Sequence, residues 1–149
     1  MHKVRLTKLF NFEMAHALHN YDGLCKHIHG HSYKLAVTII AEPETNPDSP
    51  KLGMVMDFGD LKEIVNRLIV KPLDHALMLS KSSGVHSFMT ENPLYQRMIE
   101  VDYQPTCENM VVDFAEKIKN ELPSNIKLFS IKLHETATSF AEWYASDNE

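Results

Sequence analysis

The chain has 149 residues, the usual size of one domain, so residues 1–149 are read as a single unit around one core. Its hydrophobic fraction of 44% and charged fraction of 23% are ordinary for a folded protein and exclude a mainly disordered chain. The formal net charge is -5 and no block of basic residues occurs, which excludes an extended nucleic-acid backbone as the partner.

Residues 4–16 alternate, with Val4, Leu6, Phe10, Phe12 and Met14 on one face, Lys8 interrupting it and His16 closing it. Residues 29–41 alternate again, and His29, His31, Tyr33, Leu35, Val37 and Ile39 share one side. The pattern predicts two strands, joined by a loop that carries the turn formers Asn20, Asp22 and Gly23. Pro43, Asn46, Pro47 and Pro50 mark a further turn. After the short run Met54-Val55-Met56 the period changes: Phe58, Leu61, Ile64, Val65 and Leu68 form a helical stripe, with Asp57 as N-cap and Pro72 as the stop. Residues 80–104 show no clean period and read as a long loop or a short extra helix. A second helix opens at Pro105-Thr106, with Thr106 able to cap it. Met110, Val111, Phe114, Ile118 and Leu122 follow at helical intervals before Pro123. Phe129, Ile131 and Leu133 alternate as a third strand, and Ser139 to Tyr144 supply a fourth. The order β-β-α-α-β-β predicts an α+β domain with two helices on one face of an antiparallel sheet.

The start, Met1-His2-Lys3-Val4-Arg5, has no apolar run behind it, and no stretch approaches the ~18 apolar residues of a membrane span. A cytoplasmic protein without membrane contact is the expectation, and in that compartment Cys25 and Cys107 read as free thiols. Nine histidines are many for this length and point to metal chemistry. His29 and His31, one residue apart, share a strand face and can share one cation. His16 ends the preceding strand on its apolar face, where antiparallel pairing would bring it beside them. Three neutral imidazoles make a zinc site with an open fourth position, the catalytic arrangement. The plain alternative is a pair of strand histidines with ordinary hydrogen bonds.

Other residues stay open on spacing alone. Cys25 reads as a fourth zinc ligand closing a structural site, as a thiolate activated by zinc and Lys26, or as a buried apolar residue. Asp74-His75 reads as two groups in a turn facing different partners, or as a capping Asp beside a surface His. Glu135 continues the parity of Ile131 and Leu133. Its carboxylate either points inward, where it needs donors, or lies just past the strand in solvent. Glu108 in the first turn of a helix complements the helix dipole. His19, His27, His86 and His134 have no assigned partner.

Several motifs then coincide: Phe10-Asn11-Phe12-Glu13-Met14-Ala15-His16, Cys25-Lys26-His27-Ile28-His29-Gly30-His31, Gly53-Met54-Val55-Met56-Asp57-Phe58, Leu73-Asp74-His75, Pro105-Thr106-Cys107-Glu108-Asn109, and Glu135-Thr136 with Ala141-Glu142. Together they resemble the 6-pyruvoyltetrahydropterin synthase and 6-carboxytetrahydropterin synthase family, in the family's order and over nearly the whole chain apart from residues 80–104. The resemblance implies the tunnelling fold, in which sheets from several subunits close into a barrel with helices outside. It implies a homo-oligomer, commonly a hexamer, with active sites at subunit boundaries and a pterin triphosphate as substrate.

By position the resemblance makes His16, His29 and His31 the Zn2+ ligands and Cys25 the catalytic thiol. Asp74 and His75 become the second proton-transfer group, and Glu135 the anchor of the pterin ring. The Cys-x-x-x-His-Gly-His spacing looks like the 6-carboxy branch. That branch turns 7,8-dihydroneopterin triphosphate into 6-carboxy-5,6,7,8-tetrahydropterin, acetaldehyde and triphosphate, on the route to queuosine and related deazapurines. The 6-pyruvoyl branch, with a longer Cys-to-His gap, eliminates triphosphate from the same substrate. Ala17 and Ala76 stand where family members often carry Arg, which leaves Lys26 as the candidate triphosphate contact. A non-catalytic zinc module, with Cys25 completing four ligands, is the reading from a different class.

Overall fold

The computed structural model describes residues 1–85 and 91–149. In chain order the elements are β1 (Val4–His16), β2 (His29–Ala41), α1 (Phe58–Val65), α2 (Lys71–Leu73), β3 (Ala76–Ser80), β4 (Met98–Val101), α3 (Cys107–Lys119), β5 (Lys127–His134) and β6 (Phe140–Tyr144). A π turn, Asn66–Val70, joins α1 to α2 into one rod. The strands form one six-stranded sheet in the order β4-β3-β1-β2-β5-β6.

The long β1–β2 ribbon follows from the alternation. Pairing runs unbroken from Val4 opposite Ala41 to His16 opposite His29. It turns Phe10, Phe12, Met14, Tyr33, Leu35, Val37 and Ile39 to one buried face. Leu61, Val65 and Ile69 from the first rod and Met110, Phe114 and Ile118 from α3 close that face. Burial of such side chains contributes roughly 1.5–3 kcal/mol each before the entropy of ordering is subtracted. Both expected caps form: Asp57 accepts the Gly59 N–H at 2.8 Å, and Thr106 accepts the Asn109 N–H at 3.2 Å. Pro72 does not stop the first helix. It sits inside α2, after the π turn has already moved the Lys71 N–H bond back to the Asn66 carbonyl.

The sheet is mixed rather than wholly antiparallel. β2–β5 and β5–β6 pair antiparallel, as expected, with a bulge between Thr38 and Ile39. β3 lies parallel to β1, and β4 parallel to β3. Alternation could not announce β3, because Ala76–Ser80 is covered on both faces and reads as an unbroken apolar run. The segment 80–104 is therefore more than a loop. Its described residues include the short 3-10 turns Lys81–Ser83 and Pro93–Tyr95 and the edge strand β4. His86 lies outside the described residues. No helix among the described residues is long and apolar enough to cross a membrane.

Candidate metal centre

The register of β1 and β2 sets His16 directly opposite His29, with His31 one pleat further along. The three ring centroids stand 4.6, 5.1 and 4.9 Å apart, close to an equilateral triangle. His16 Nδ1 lies 2.7 Å from the Pro105 carbonyl oxygen, and His29 Nδ1 lies 2.7 Å from that of His27. A carbonyl only accepts, so each Nδ1 carries a proton, and in the neutral form of such a ring Nε2 is left as a bare lone pair. Those two Nε2 atoms stand 3.0 Å apart. Two lone pairs cannot bond each other, so the pair is repulsive until a cation stands beside both.

His31 Nε2 completes the set. It is buried without a hydrogen-bond partner, although Glu135 Oε1 lies 3.0 Å away. That carboxylate oxygen sits off the N–H line and is also 3.8 Å from His16 Nε2. The donor atoms of His16, His29, His31 and Glu135 all fall within 4.8 Å of one another. Nitrogens at about 2.1 Å from a tetrahedral cation stand about 3.4 Å apart. The residues thus fit a small divalent ion. Burial holds the His16 and His31 imidazoles below the ordinary value, with Glu135 opposing the shift in both. Neutral rings are the form that binds metal.

Tyr33 supports the cluster from beneath. Its ring stacks on Phe12 at 5.2 Å and meets His31 edge-on at 5.6 Å. Its hydroxyl is buried without a partner, and burial raises its pKa, so it stays protonated.

Glu135 unites two expectations. It lies one residue past β5, in a turn closed by its own N–H to the Ser139 carbonyl at 3.0 Å, yet its carboxylate turns inward. The Cys25 sulfur does not join the four donors; Glu135 is the fourth within reach. Cys25 is half-buried on the 3-10 turn Leu24–Lys26, beside the exposed Lys26. Cys107 differs: its buried thiol donates to the Leu133 carbonyl at 3.1 Å, and burial pushes its pKa up to about 11. It is a packing residue.

Asp74 and His75 form the turn between α2 and β3. Their side chains face each other, with Asp74 Oδ2 3.1 Å from His75 Nδ1. Asp74 Oδ1 accepts the Glu13 N–H at 2.9 Å, the main reason its carboxyl stays below the usual range. His75 donates its own N–H to the Glu13 carbonyl at 2.6 Å and adopts a left-handed φ of 62°. Its exposed ring lines an open cleft of about 330 Å³ with Glu13, Ser32 and His31. The backbone anchors from Pro105, His27 and Glu13 have no sequence signal, since a carbonyl leaves no mark in a sequence.

A profile of the 6-pyruvoyl tetrahydropterin synthase family matches residues 5–146. The chain belongs to this family. As a member of a family of tetrahydropterin synthases it is an enzyme, a lyase. It is 34% identical over 141 residues to the 6-carboxy-5,6,7,8-tetrahydropterin synthase of Haemophilus influenzae, covering 93% of this chain and 97% of that one. The protein of the same name from Rickettsia conorii is 30% identical over 141 residues, covering 93% and 99%. Among solved structures, an uncharacterised protein from Wolinella succinogenes superposes with a TM-score of 0.79 at 22% identity, covering 97% of this chain and 99% of that one. The 6-pyruvoyl tetrahydropterin synthase of Caenorhabditis elegans superposes with a TM-score of 0.70 at 23% identity, covering 97% of each. These likenesses establish the tunnelling-fold architecture for this family member.

Proposed function

We propose that the chain is a zinc-dependent 6-carboxytetrahydropterin synthase of the cytoplasm. It would convert 7,8-dihydroneopterin triphosphate, with water, into 6-carboxy-5,6,7,8-tetrahydropterin, acetaldehyde and triphosphate. The single observation that supports the centre best is the facing pair of bare Nε2 atoms on His16 and His29, with the orphaned His31 Nε2 beside them. The branch assignment draws on the name carried by the Haemophilus influenzae and Rickettsia conorii relatives.

His16, His29 and His31 would hold the zinc, which would supply Lewis-acid polarisation of the substrate's side-chain oxygens. Cys25 takes the carbon-bound proton as thiolate. The His75 imidazole, oriented by Asp74, moves a proton at the edge of the cleft beside His31. Glu135, on a turn rather than in a strand, accepts paired N–H groups from the pterin ring. The short tether of Cys25 to His29 gives the thiol a fixed reach along the substrate side chain. Homo-oligomerisation, with a hexamer favoured, pairs the outer strands β4 and β6 between subunits and completes each site at a subunit boundary.

The description of the family itself supports a second reading, elimination to 6-pyruvoyltetrahydropterin. Anaerobic incubation of the zinc-loaded protein with dihydroneopterin triphosphate, followed by mass analysis, separates the two. Acetaldehyde with 6-carboxytetrahydropterin is the expected result. The pyruvoyl product without acetaldehyde would reassign the branch, and a fully zinc-loaded protein without turnover would favour a structural zinc module. Sedimentation of the same sample reads the assembly.

A further inference from the structure

The loop of residues 17–28 carries Cys25, and little holds it to the rest of the chain. Its internal bonds run from Leu18 N–H to the Cys25 carbonyl at 2.9 Å, from Lys26 N–H to the Gly23 carbonyl at 3.2 Å and from His27 N–H to the Leu24 carbonyl at 3.1 Å. The His27 carbonyl anchors the His29 ring at one end. At the other end stands Gln104. Its side-chain amide pairs both backbone groups of His19: Oε1 accepts the N–H at 3.1 Å and Nε2 donates to the carbonyl at 2.7 Å. Among the described residues, the His29 ring and Gln104 are the side chains outside the loop that hydrogen-bond to it.

Gln104 is itself held firmly. Its carbonyl accepts the Thr106 N–H at 2.7 Å and the Asn109 side-chain amide at 3.0 Å, at the capped start of α3. The next residue, Pro105, supplies the carbonyl that fixes the His16 ring. One dipeptide therefore grips the metal-ligand strand with its second residue and the thiol loop with its first. From the clamp the path to the thiol is short: His19 follows Leu18, whose N–H holds the Cys25 carbonyl. Asn20 then reverses the chain with a left-handed φ of 62°.

We propose that Gln104 is a positioning residue that sets the Cys25 loop against the histidine cluster. The clamp matches a two-sided backbone pair, which only a primary amide of this length satisfies with both a donor and an acceptor. Its consequence for turnover rests on the proposed catalytic role of Cys25; its consequence for the loop does not. The experiment uses the full-length, metal-loaded protein with Gln104→Ala and, separately, Gln104→Glu, which keeps the acceptor for His19 N–H and loses the donor. Metal content, melting, kcat, KM and the rate of Cys25 alkylation by iodoacetamide are measured; the buried Cys107 stays silent.

The expected result is full metal content and severalfold faster alkylation. kcat falls about 10- to 100-fold with KM little changed, since a reacting group displaced by about an ångström loses that much. Gln104→Glu should lie between wild type and Gln104→Ala, and it decides the matter if the alanine variant fails to fold. Unchanged alkylation overturns the clamp, as does a loss of kcat that merely follows a loss of metal. Faster alkylation with unchanged kcat upholds the clamp and removes Cys25 from the chemistry instead.

Discussion

His16 and His29 face each other Nε2 to Nε2 across 3.0 Å while backbone carbonyls occupy both of their Nδ1 atoms. The β1–β2 register creates this meeting, and the carbonyls of Pro105 and His27 fix which nitrogen is bare. A divalent ion held by both nitrogens removes the repulsion, so folding and metal binding should be linked. An ion at a thousand times its dissociation constant adds about 4 kcal/mol to stability, and for a chain of this size that is roughly 10 °C in melting temperature. Calorimetry with and without a chelator measures it. Equal melting points would mean that no ion is held in the cluster.

The burial of His16 and His31 gives a signed pH dependence. Both imidazoles are held below the ordinary value of 6.5 in the folded chain. The unfolded chain therefore binds more protons below that pH, and stability is complete above it and declines as the pH falls toward the folded values. Metal affinity should weaken in the same direction, because protons compete for the same nitrogens. Melting of the metal-free protein between about pH 5 and 8 tests the sign. A melting point that rises on acidification would contradict neutral buried rings.

Cys25→Ala should keep about one metal ion per chain while turnover drops roughly 10²–10⁴-fold, the usual worth of a general base. Metal analysis of the purified variant separates this role from ligation. If the ion leaves with the thiol, Cys25 is a ligand and the base must be sought elsewhere.

Glu135→Gln replaces a charged acceptor with a neutral amide. Pterin binding should weaken by about 1.5–3 kcal/mol, the scale of one charge-assisted hydrogen bond. Titration with a pterin gives the number, and metal content on the same sample shows whether the carboxylate also serves the cluster. An unaltered pterin affinity would set Glu135 aside from the ligand.

What was legible in the sequence follows from which faces are buried. β1 and β2 each cover one face only, so alternation marks them, and the same period of two sets His29 and His31 side by side. Asp57 and Thr106 announce helix starts because a side-chain oxygen caps the first N–H groups. β3 shows no alternation because it is buried on both faces, and β4, at Met98–Val101, is too short to show a period. Parity placed Glu135 only halfway, since the strand ends at His134 and the turn to Ser139 decides where the next carboxylate goes. The Gln104 and Pro105 anchors depend on the meeting of residues 85 and 89 positions apart, which no local pattern encodes.

The left-handed backbone of His75 sets two demands against each other at one position. A side chain with a Cβ pays about 1–2 kcal/mol for that conformation, and glycine does not. In a library of variants at position 75, the glycine substitution should rank high when survivors are chosen by heat resistance and low when they are chosen by product formed. Few positions in the chain would reverse their order so completely between the two screens, and the reversal would mark the strain as something retained for the imidazole rather than for the fold.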